Sequence, residues 1–134
     1  MPGSFLDSNV ILYLASKQQG KADRAEELVN NGGTISVQVL NEIANVSRRK
    51  MGISWPETRN FLSIVRALLN VESVTIETHD AGIALAERYH LSVYDGLIAS
   101  AALLAECDTL FSEDFQDGLL FDGRLRVVNP FKAR

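Results

Sequence analysis

Short β-branched or apolar stretches alternate with longer amphipathic stretches along the whole chain, and this alternation constrains the fold more than any other feature. Five strands are predicted, at residues 3–6, 34–37, 71–76, 109–112 and 124–128. Because strands that are separated by helices pair in parallel, we expect an α/β fold with a mostly parallel five-stranded sheet and helices on both faces. A chain of 134 residues is long enough for one such domain, covering residues 1–134.

The intervening segments show the apolar spacing of helices. Two of them, 38–50 and 55–69, are joined by a short link and are expected to form a helical hairpin with more apolar residues than one sheet face requires. Thr78 or His79 is expected to begin the next helix, and a strongly apolar segment predicts another over about 94–106. Ser8 and Asn9 offer capping oxygens to the first helix.

Composition excludes several kinds of protein and site. The net charge of −4 provides no general basic surface for nucleic acid. No apolar run approaches the roughly 20 residues that cross a bilayer, and the N-terminus lacks the features of a signal peptide, so we expect a cytoplasmic protein with no membrane partner. Cys107 is the only cysteine and is expected to be a small buried apolar residue, while His79 and His90 are expected on helix surfaces or caps.

Four acidic residues are predicted to meet at one edge of the sheet. Right-handed crossovers place every strand-to-helix turn at the same edge, outside which ligands bind in such folds. Asp7 ends the first strand, Glu42 lies in the helix after the second, and Asp114 follows the fourth. Asp95 heads a helix that runs antiparallel to the strands, so the N-terminus of that helix points to this same edge.

Converging carboxylates need compensation, because two of them at about 4 Å repel by on the order of 4 kcal/mol at a protein surface. Either some are protonated or a divalent cation binds, and oxygen-only ligation is typical of Mg²⁺ or Mn²⁺. Each acid has an ordinary alternative: Asp7 as a helix cap, Asp95 as a helix-start acid, Asp114 as a turn residue. For Glu42, which lies within an apolar helix, the only ordinary alternative is a solvent-exposed position on that helix.

The acids lie in segments that carry a family resemblance. The segments are FLDSNVILYL at 5–14, SVQVLNEI at 36–43, SVYDGLIASAA at 92–102 and LFSEDF at 110–115. In this order they resemble the four motifs of PIN-domain nucleases, specifically the VapC-like toxins of toxin–antitoxin pairs. The resemblance implies a PIN-like three-layer α/β/α fold with a protruding helical hairpin.

The resemblance also implies an Mg²⁺- or Mn²⁺-dependent endoribonuclease. Its catalytic metal ligands would be Asp7, Glu42, Asp95 and Asp114. One or two ions would then hold the scissile phosphate and lower the pKa of the attacking water.

Other residues near the motifs are assigned supporting roles by the same resemblance. Asn9 would help fix the first aspartate, and Ser112 occupies a small hydroxyl position before the fourth acid. Asp117 would assist, and whether Asp114 or Asp117 is the fourth acid stays open at this point. A basic run at the end of the 38–50 helix would either contact RNA phosphates or serve as ordinary helix C-terminal cations; it consists of Arg48, Arg49 and Lys50.

The resemblance further implies protein partners. The hairpin and the first helices would form a homodimer contact and a groove for a cognate antitoxin, which would cover the acidic cleft, often with a basic side chain. Three other interpretations stay open: an RNA-processing nuclease outside a toxin system, a non-catalytic PIN-like binding module and a receiver-like signalling domain. The last is disfavoured because Asp7 has no acidic neighbour.

Overall fold

The computed structural model describes residues 3–132, and in this range the chain forms one six-stranded sheet in the order β3-β2-β1-β4-β6-β5. Only the β5–β6 pair is antiparallel. The strands are β1 Ser4–Leu6, β2 Thr34–Ser36, β3 Asn70–Glu72, β4 Thr109–Phe111, β5 Leu120–Phe121 and β6 Leu125–Val128. Helices cover both faces of this sheet, which confirms the predicted three-layer α/β/α architecture.

Six α-helices accompany the strands within the described residues. They are α1 Ser8–Leu12, α2 Gln19–Asn30, α3 Val37–Arg49, α4 Trp55–Leu68, α5 Ile76–Tyr89 and α6 Val93–Leu104, with a 3₁₀ turn at Tyr13–Ala15. The hydroxyls of Ser36, Ser54 and Ser92 cap α3, α4 and α6 by accepting backbone N–H groups. Helices α3 and α4 pack against each other, so the predicted hairpin is present.

The predicted count of five strands is too low by one. The additional strand, Leu120–Phe121, forms a tight hairpin with β6 in which Asp122 and Gly123 both have positive φ, at 52° and 68°. Two successive positive φ values fit a type I′ turn, which the Asp-Gly sequence favours. A strand of two residues is too short to show an alternating pattern, so the sequence does not predict it.

The third strand was predicted too long, and the following helix too late. Strand β3 ends at Glu72 rather than at residue 76, and α5 already begins at Ile76 rather than at Thr78 or His79. Thr75 and Thr78 form a reciprocal capping box in which each side chain accepts the backbone N–H of the other residue. This pair of local hydrogen bonds fixes the start of α5, although the alternation of apolar and polar residues that predicted a strand continues to residue 76.

The order of the strands creates a crevice where it reverses direction. The chain builds β2 and β3 on one side of β1 and then crosses over to place β4 on the other side. In open parallel sheets ligands bind at such a reversal, outside the carboxyl ends of the strands. Leu6 pairs in register with Phe111, and the Asp7 N–H donates to the Phe111 carbonyl at 3.0 Å. The residues that follow β1 and β4 therefore lie side by side.

The core fixes these elements in place. Phe5, Ile35, Leu110 and Val127 are fully buried in the sheet, and residues 96–103 of α6 are all buried. At Gly96 a Cβ atom would lie 2.3 Å from the Gly82 carbonyl oxygen, so α6 approaches α5 at a distance that only glycine permits.

Three smaller predictions are confirmed. Cys107 is buried, His79 is exposed on α5, and His90 ends that helix in the left-handed conformation with φ 58°.

Within the described range, no helix combines the length and the hydropathy that a membrane crossing requires.

Candidate active site

Asp7 is the buried centre of the acidic cluster. It follows β1 directly, and only 3% of its surface is exposed. Its Oδ1 atom accepts the Ser8 N–H at 2.8 Å and caps α1, while Oδ2 accepts the Ser112 hydroxyl at 2.8 Å and the Asn9 amide at 3.1 Å. The expectation that Ser8 and Asn9 cap this helix was therefore wrong, because the aspartate itself does so. These three hydrogen bonds fix the orientation of the carboxylate.

Glu42 reaches the same cluster from α3. This helix starts directly after β2, and Glu42 lies half-buried in its second turn. Its Oε1 atom accepts the Ser8 hydroxyl at 2.7 Å, and its Oε2 atom accepts the Gln38 amide at 3.2 Å. Ser8 thus connects Glu42 to Asp7, since its backbone donates to one carboxylate and its side chain to the other.

Asp114 is linked to Asp7 through the residue after β4. The buried Ser112 donates its hydroxyl proton to Asp7 and accepts the Asp114 N–H at 3.1 Å. The side-chain oxygen of Asn9, Oδ1, accepts the Glu113 N–H at 3.2 Å. Two side chains near Asp7 therefore hold the turn that carries Asp114, whose own carboxylate is exposed.

Asp95 lies in the first turn of α6. Its N–H donates to the capping hydroxyl of Ser92 at 3.1 Å, and the residue is half-buried. The apolar helix behind it packs against α5 and the sheet, so the position of this carboxylate is set by the core.

Electrostatic coupling joins the four acids into one group. The pKa of Asp7 is raised from 3.8 to about 7, mainly by burial and also by the charges of Glu42 and Asp114, while its hydrogen bonds from Ser112 and Ser8 lower it. Burial, then the charge of Asp114, also raises the pKa of Asp95. Because each acid repels at least one other, positive charge among them would be stabilising.

The chemistry of the donor set fits a hard divalent cation. Among residues 3–132, no three carboxylate, imidazole or thiol groups lie within the mutual distances of a preformed metal site. Hydrogen bonds from Ser8, Asn9 and Ser112 instead orient the carboxylates of Asp7 and Glu42. All four donors are carboxylates, with no nitrogen or sulfur among them, and this set suits Mg²⁺ or Mn²⁺.

Two predicted site residues are engaged elsewhere. Asp117 accepts the Asn129 N–H at 2.8 Å and pairs with Lys132 at 3.7 Å, so it ties the turn after β4 to the C-terminal segment. Arg48 donates to the Ile53 carbonyl at 2.6 Å and lies over the Trp55 ring at 4.6 Å. Its guanidinium therefore stabilises the link between α3 and α4.

Arg49 and Lys50 are exposed at the end of α3. The structure thus separates the predicted basic run into one internal arginine and two exposed cations.

Several residues of the cluster were missed in the sequence. Ser8 and Gln38 both donate to Glu42, and Gln38 could have been found because it precedes Glu42 by one helical turn. A second group lies beside the cluster: the Tyr13 hydroxyl donates to Glu113, and Lys21 donates to both, at 3.0 Å to Tyr13 and 3.2 Å to Glu113. No local pattern signals this second group, because its members come from three separate elements.

Comparison with known proteins adds a family and several related folds. The sequence profile of the PIN domain matches residues 4–116. A toxin–antitoxin complex from Klebsiella pneumoniae superposes with a TM-score of 0.72 at 18% identity, covering 97% of this chain and 99% of that chain. VapBC2 from Rickettsia felis, bound to a DNA fragment from the promoter, gives a TM-score of 0.59 at 25% identity, covering 81% and 86%.

A third similar structure is VapC20 from Mycobacterium tuberculosis, described as a sarcin-ricin loop cleaving toxin. It gives a TM-score of 0.67 at 17% identity and covers 83% of this chain and 91% of that chain. No curated protein sequence matches.

Proposed function

This chain belongs to the PIN domain family, and from that premise we propose that it is an Mg²⁺- or Mn²⁺-dependent endoribonuclease that hydrolyses RNA phosphodiesters. We further propose that residues 1–134 form one domain and that the protein is the toxin of a toxin–antitoxin pair. One observation carries the catalytic proposal: the charges of Glu42 and Asp114 act on the buried Asp7, while the charge of Asp114 also acts on Asp95.

Each acid has a stated role in this proposal. Asp7, Glu42, Asp95 and Asp114 would hold the cation. A bound divalent ion supplies positive charge that orients a phosphodiester, lowers the pKa of water and stabilises the leaving oxygen. Ser8, Asn9 and Ser112 act as positioning residues, because their hydrogen bonds orient the carboxylates of Asp7 and Glu42.

The fourth acid in this proposal is Asp114 rather than Asp117. Asp114 acts electrostatically on both Asp7 and Asp95, and no hydrogen bond or ion pair among the described residues occupies its carboxylate. Asp117 already accepts from Asn129 and pairs with Lys132. Glu113 likewise accepts a hydrogen bond from Tyr13 and forms an ion pair with Lys21.

The test is a cleavage assay with purified protein free of any antitoxin. Structured RNAs, including transfer RNA and ribosomal RNA fragments, are incubated with Mn²⁺, Mg²⁺ or EDTA. We expect cleavage by the wild type with either cation and none in EDTA. Asp7→Asn and Asp95→Asn should lose at least about 100-fold, because even a residue that only orients a metal ligand typically costs about 10- to 100-fold when replaced.

A matched control is Asp80→Asn, which removes one negative charge from an exposed position on α5 outside the cluster. It should cleave as the wild type does. Equal cleavage by the wild type and Asp7→Asn would overturn the proposal, and a folded wild type that cleaves no RNA with either cation would favour a non-catalytic PIN-like binding module.

The proposed partners are a cognate antitoxin and a second copy of the chain. The support is the similarity to toxin–antitoxin complexes and a set of large apolar side chains left exposed on α4: Trp55 at 55%, Ile64 at 49% and Leu68 at 47%. Light scattering would show a homodimer. Co-expression with the small neighbouring reading frame should yield a complex that no longer cleaves RNA.

Absence of such a reading frame would favour an RNA-processing nuclease outside a toxin system. In either case the proposed substrate places the protein in the cytoplasm, which stays a prediction.

A further inference from the structure

We propose that the groove between α3 and the start of α6 holds one unpaired base of the RNA beside the cleaved phosphodiester, with Tyr94 as its stacking surface and Asn41 and Asn45 as readers of its edge. This inference rests on the proposed nuclease function and gives the site a base preference. It concerns residues outside the acidic cluster, so it can be tested separately.

The groove opens directly beside the acids. It encloses about 480 Å³ and is lined by Gln38, Asn41, Glu42, Asn45 and Tyr94. Glu42 belongs both to the groove and to the acidic cluster, since its carboxylate accepts a hydrogen bond from the Ser8 hydroxyl at one end of the cluster. Tyr94 immediately precedes Asp95. A nucleotide whose phosphate reached the acids would therefore have its base at this groove.

Tyr94 differs from the other two tyrosines of the chain. Tyr13 and Tyr89 pack edge-on against Phe131 and Phe121, and their hydroxyls have hydrogen-bond partners. Tyr94 is 63% exposed, and within residues 3–132 its hydroxyl makes no hydrogen bond. An exposed aromatic ring beside a phosphate-binding site is the usual platform on which proteins stack an unpaired RNA base.

The opposite wall of the groove is a row of amides. Gln38, Asn41 and Asn45 are spaced three and four residues apart, which places them on one face of α3. In the described part of the chain the amides of Asn41 and Asn45 form no hydrogen bond, and both residues are exposed. Side-chain amides carry a donor and an acceptor on one plane, so they can pair with the edge of a base that stacks on Tyr94.

Arg49 extends this face toward a further phosphate. It follows Asn45 by one helical turn, is exposed, and forms no ion pair with any residue between 3 and 132. It lies about 10 Å along the helix axis from Glu42. In a chain of net charge −4, an arginine on the amide-bearing face, without an ion-pair partner among the described residues, favours a negatively charged occupant, and an RNA phosphate supplies that charge.

The test measures RNA binding, so it does not depend on catalysis. Full-length protein carrying Asp7→Asn is titrated against short fluorescein-labelled single-stranded RNAs, one for each homopolymer, and anisotropy gives the dissociation constants. Adding Tyr94→Ala should weaken binding to the preferred RNA roughly 5- to 150-fold, as expected for loss of one stacked base. Tyr94→Phe keeps the ring and should stay within about twofold.

Asn60→Ala is the matched amide control, because Asn60 is exposed on α4, away from the groove. It should bind like the parent, whereas Asn41→Ala and Asn45→Ala should each reduce the preference for one base by about 5-fold or more. If Tyr94→Ala binds like the parent, or if the parent binds no single-stranded RNA, the inference is overturned. A change in oligomeric state caused by Tyr94→Ala would equally overturn it, by assigning the ring to a dimer contact.

The outcomes separate this inference from the proposed function. Cleavage that depends on Asp7, combined with unchanged binding by Tyr94→Ala, would reject the base site and leave the nuclease standing. Binding that depends on Tyr94 without any cleavage by the wild type would retain the groove and reject the catalytic role.

Discussion

The Ser112 hydroxyl donates a 2.8 Å hydrogen bond to Oδ2 of Asp7, although 105 residues separate the two along the chain. The same oxygen atom of Ser112 accepts the Asp114 N–H and the Asn9 amide. One buried hydroxyl therefore connects the carboxyl ends of β1 and β4 and sets the direction of the central carboxylate.

Replacing this hydroxyl should damage the site beyond its effect on stability. We expect Ser112→Ala to destabilise the fold by about 1–3 kcal/mol, because the Asp114 N–H loses its acceptor, and to lower cleavage at temperatures where the protein is still folded. Ser100→Ala is the control: Ser100 is equally buried and donates to the Thr78 carbonyl at 2.9 Å, outside the cluster. Denaturant unfolding and RNA cleavage are measured for both. Equal activity per folded molecule in the two variants would contradict the positioning role.

The raised pKa of Asp7 predicts an unusual dependence of stability on pH. Between the unfolded value of 3.8 and the folded value of about 7, the folded protein binds a proton that the unfolded chain releases. The contribution of Asp7 to the free energy of unfolding is therefore greatest below about pH 4 and falls as pH rises to about 7, by on the order of 4 kcal/mol.

Asp7→Asn should remove this decline. Measured by guanidinium unfolding in EDTA, the variant should be more stable than the wild type at pH 8 by about 1–3 kcal/mol and no more stable at pH 4. Asp80→Asn, at an exposed position, should follow the wild-type profile. If Asp7→Asn is no more stable than the wild type at pH 8, then the Asp7 carboxylate is not destabilised by its surroundings.

Divalent cations should stabilise the folded protein, because they offset the repulsion among the carboxylates of the cluster. Because binding to the folded state alone stabilises it, Mn²⁺ at about 100 times its dissociation constant should add about 2.7 kcal/mol to the free energy of unfolding. The increase should be larger at pH 8 than at pH 5, since the cation requires ionised carboxylates. Thermal unfolding with and without Mn²⁺ checks this, and Asp95→Asn should lose most of the shift. Ca²⁺ and Mg²⁺ titrations show whether the site discriminates between hard cations.

The close contact of α5 and α6 predicts a large effect from a small substitution. In Gly96→Ala the new methyl group would meet the Gly82 carbonyl at 2.3 Å, so α6 has to move, at a cost of about 1–3 kcal/mol or more. Since Gly96 follows Asp95, cleavage should fall as well. Gly20→Ala provides the opposite case, because nothing lies within 4 Å of its Cβ position in α2, and it should stabilise by about 0.5–1 kcal/mol. Chemical denaturation of both variants would show the expected opposite signs.

Much of the architecture could be predicted because its signals are local. The alternation of strands and helices and the apolar spacing within the helical segments are properties of neighbouring residues. The errors occurred where two local signals competed. At residues 71–76 an alternating pattern continued into a helix that Thr75 and Thr78 had already begun, and at Leu120–Phe121 the Asp-Gly turn signal was present but the strand was too short to recognise.

The sequence by itself determined which acids stand at the carboxyl ends of the strands, because strand direction and crossover handedness place Asp7, Glu42 and Asp114 at one edge of any such sheet. Only the tertiary structure decided their chemical state and their partners. Burial and neighbouring charge raise the pKa of Asp7, Ser8 and Ser112 orient the acids from distant positions, and Asp117 and Arg48 turn to contacts of their own. The physical reason is range: periodicity is set by adjacent residues, whereas desolvation, charge repulsion and hydrogen bonding depend on which distant segments the fold brings into contact.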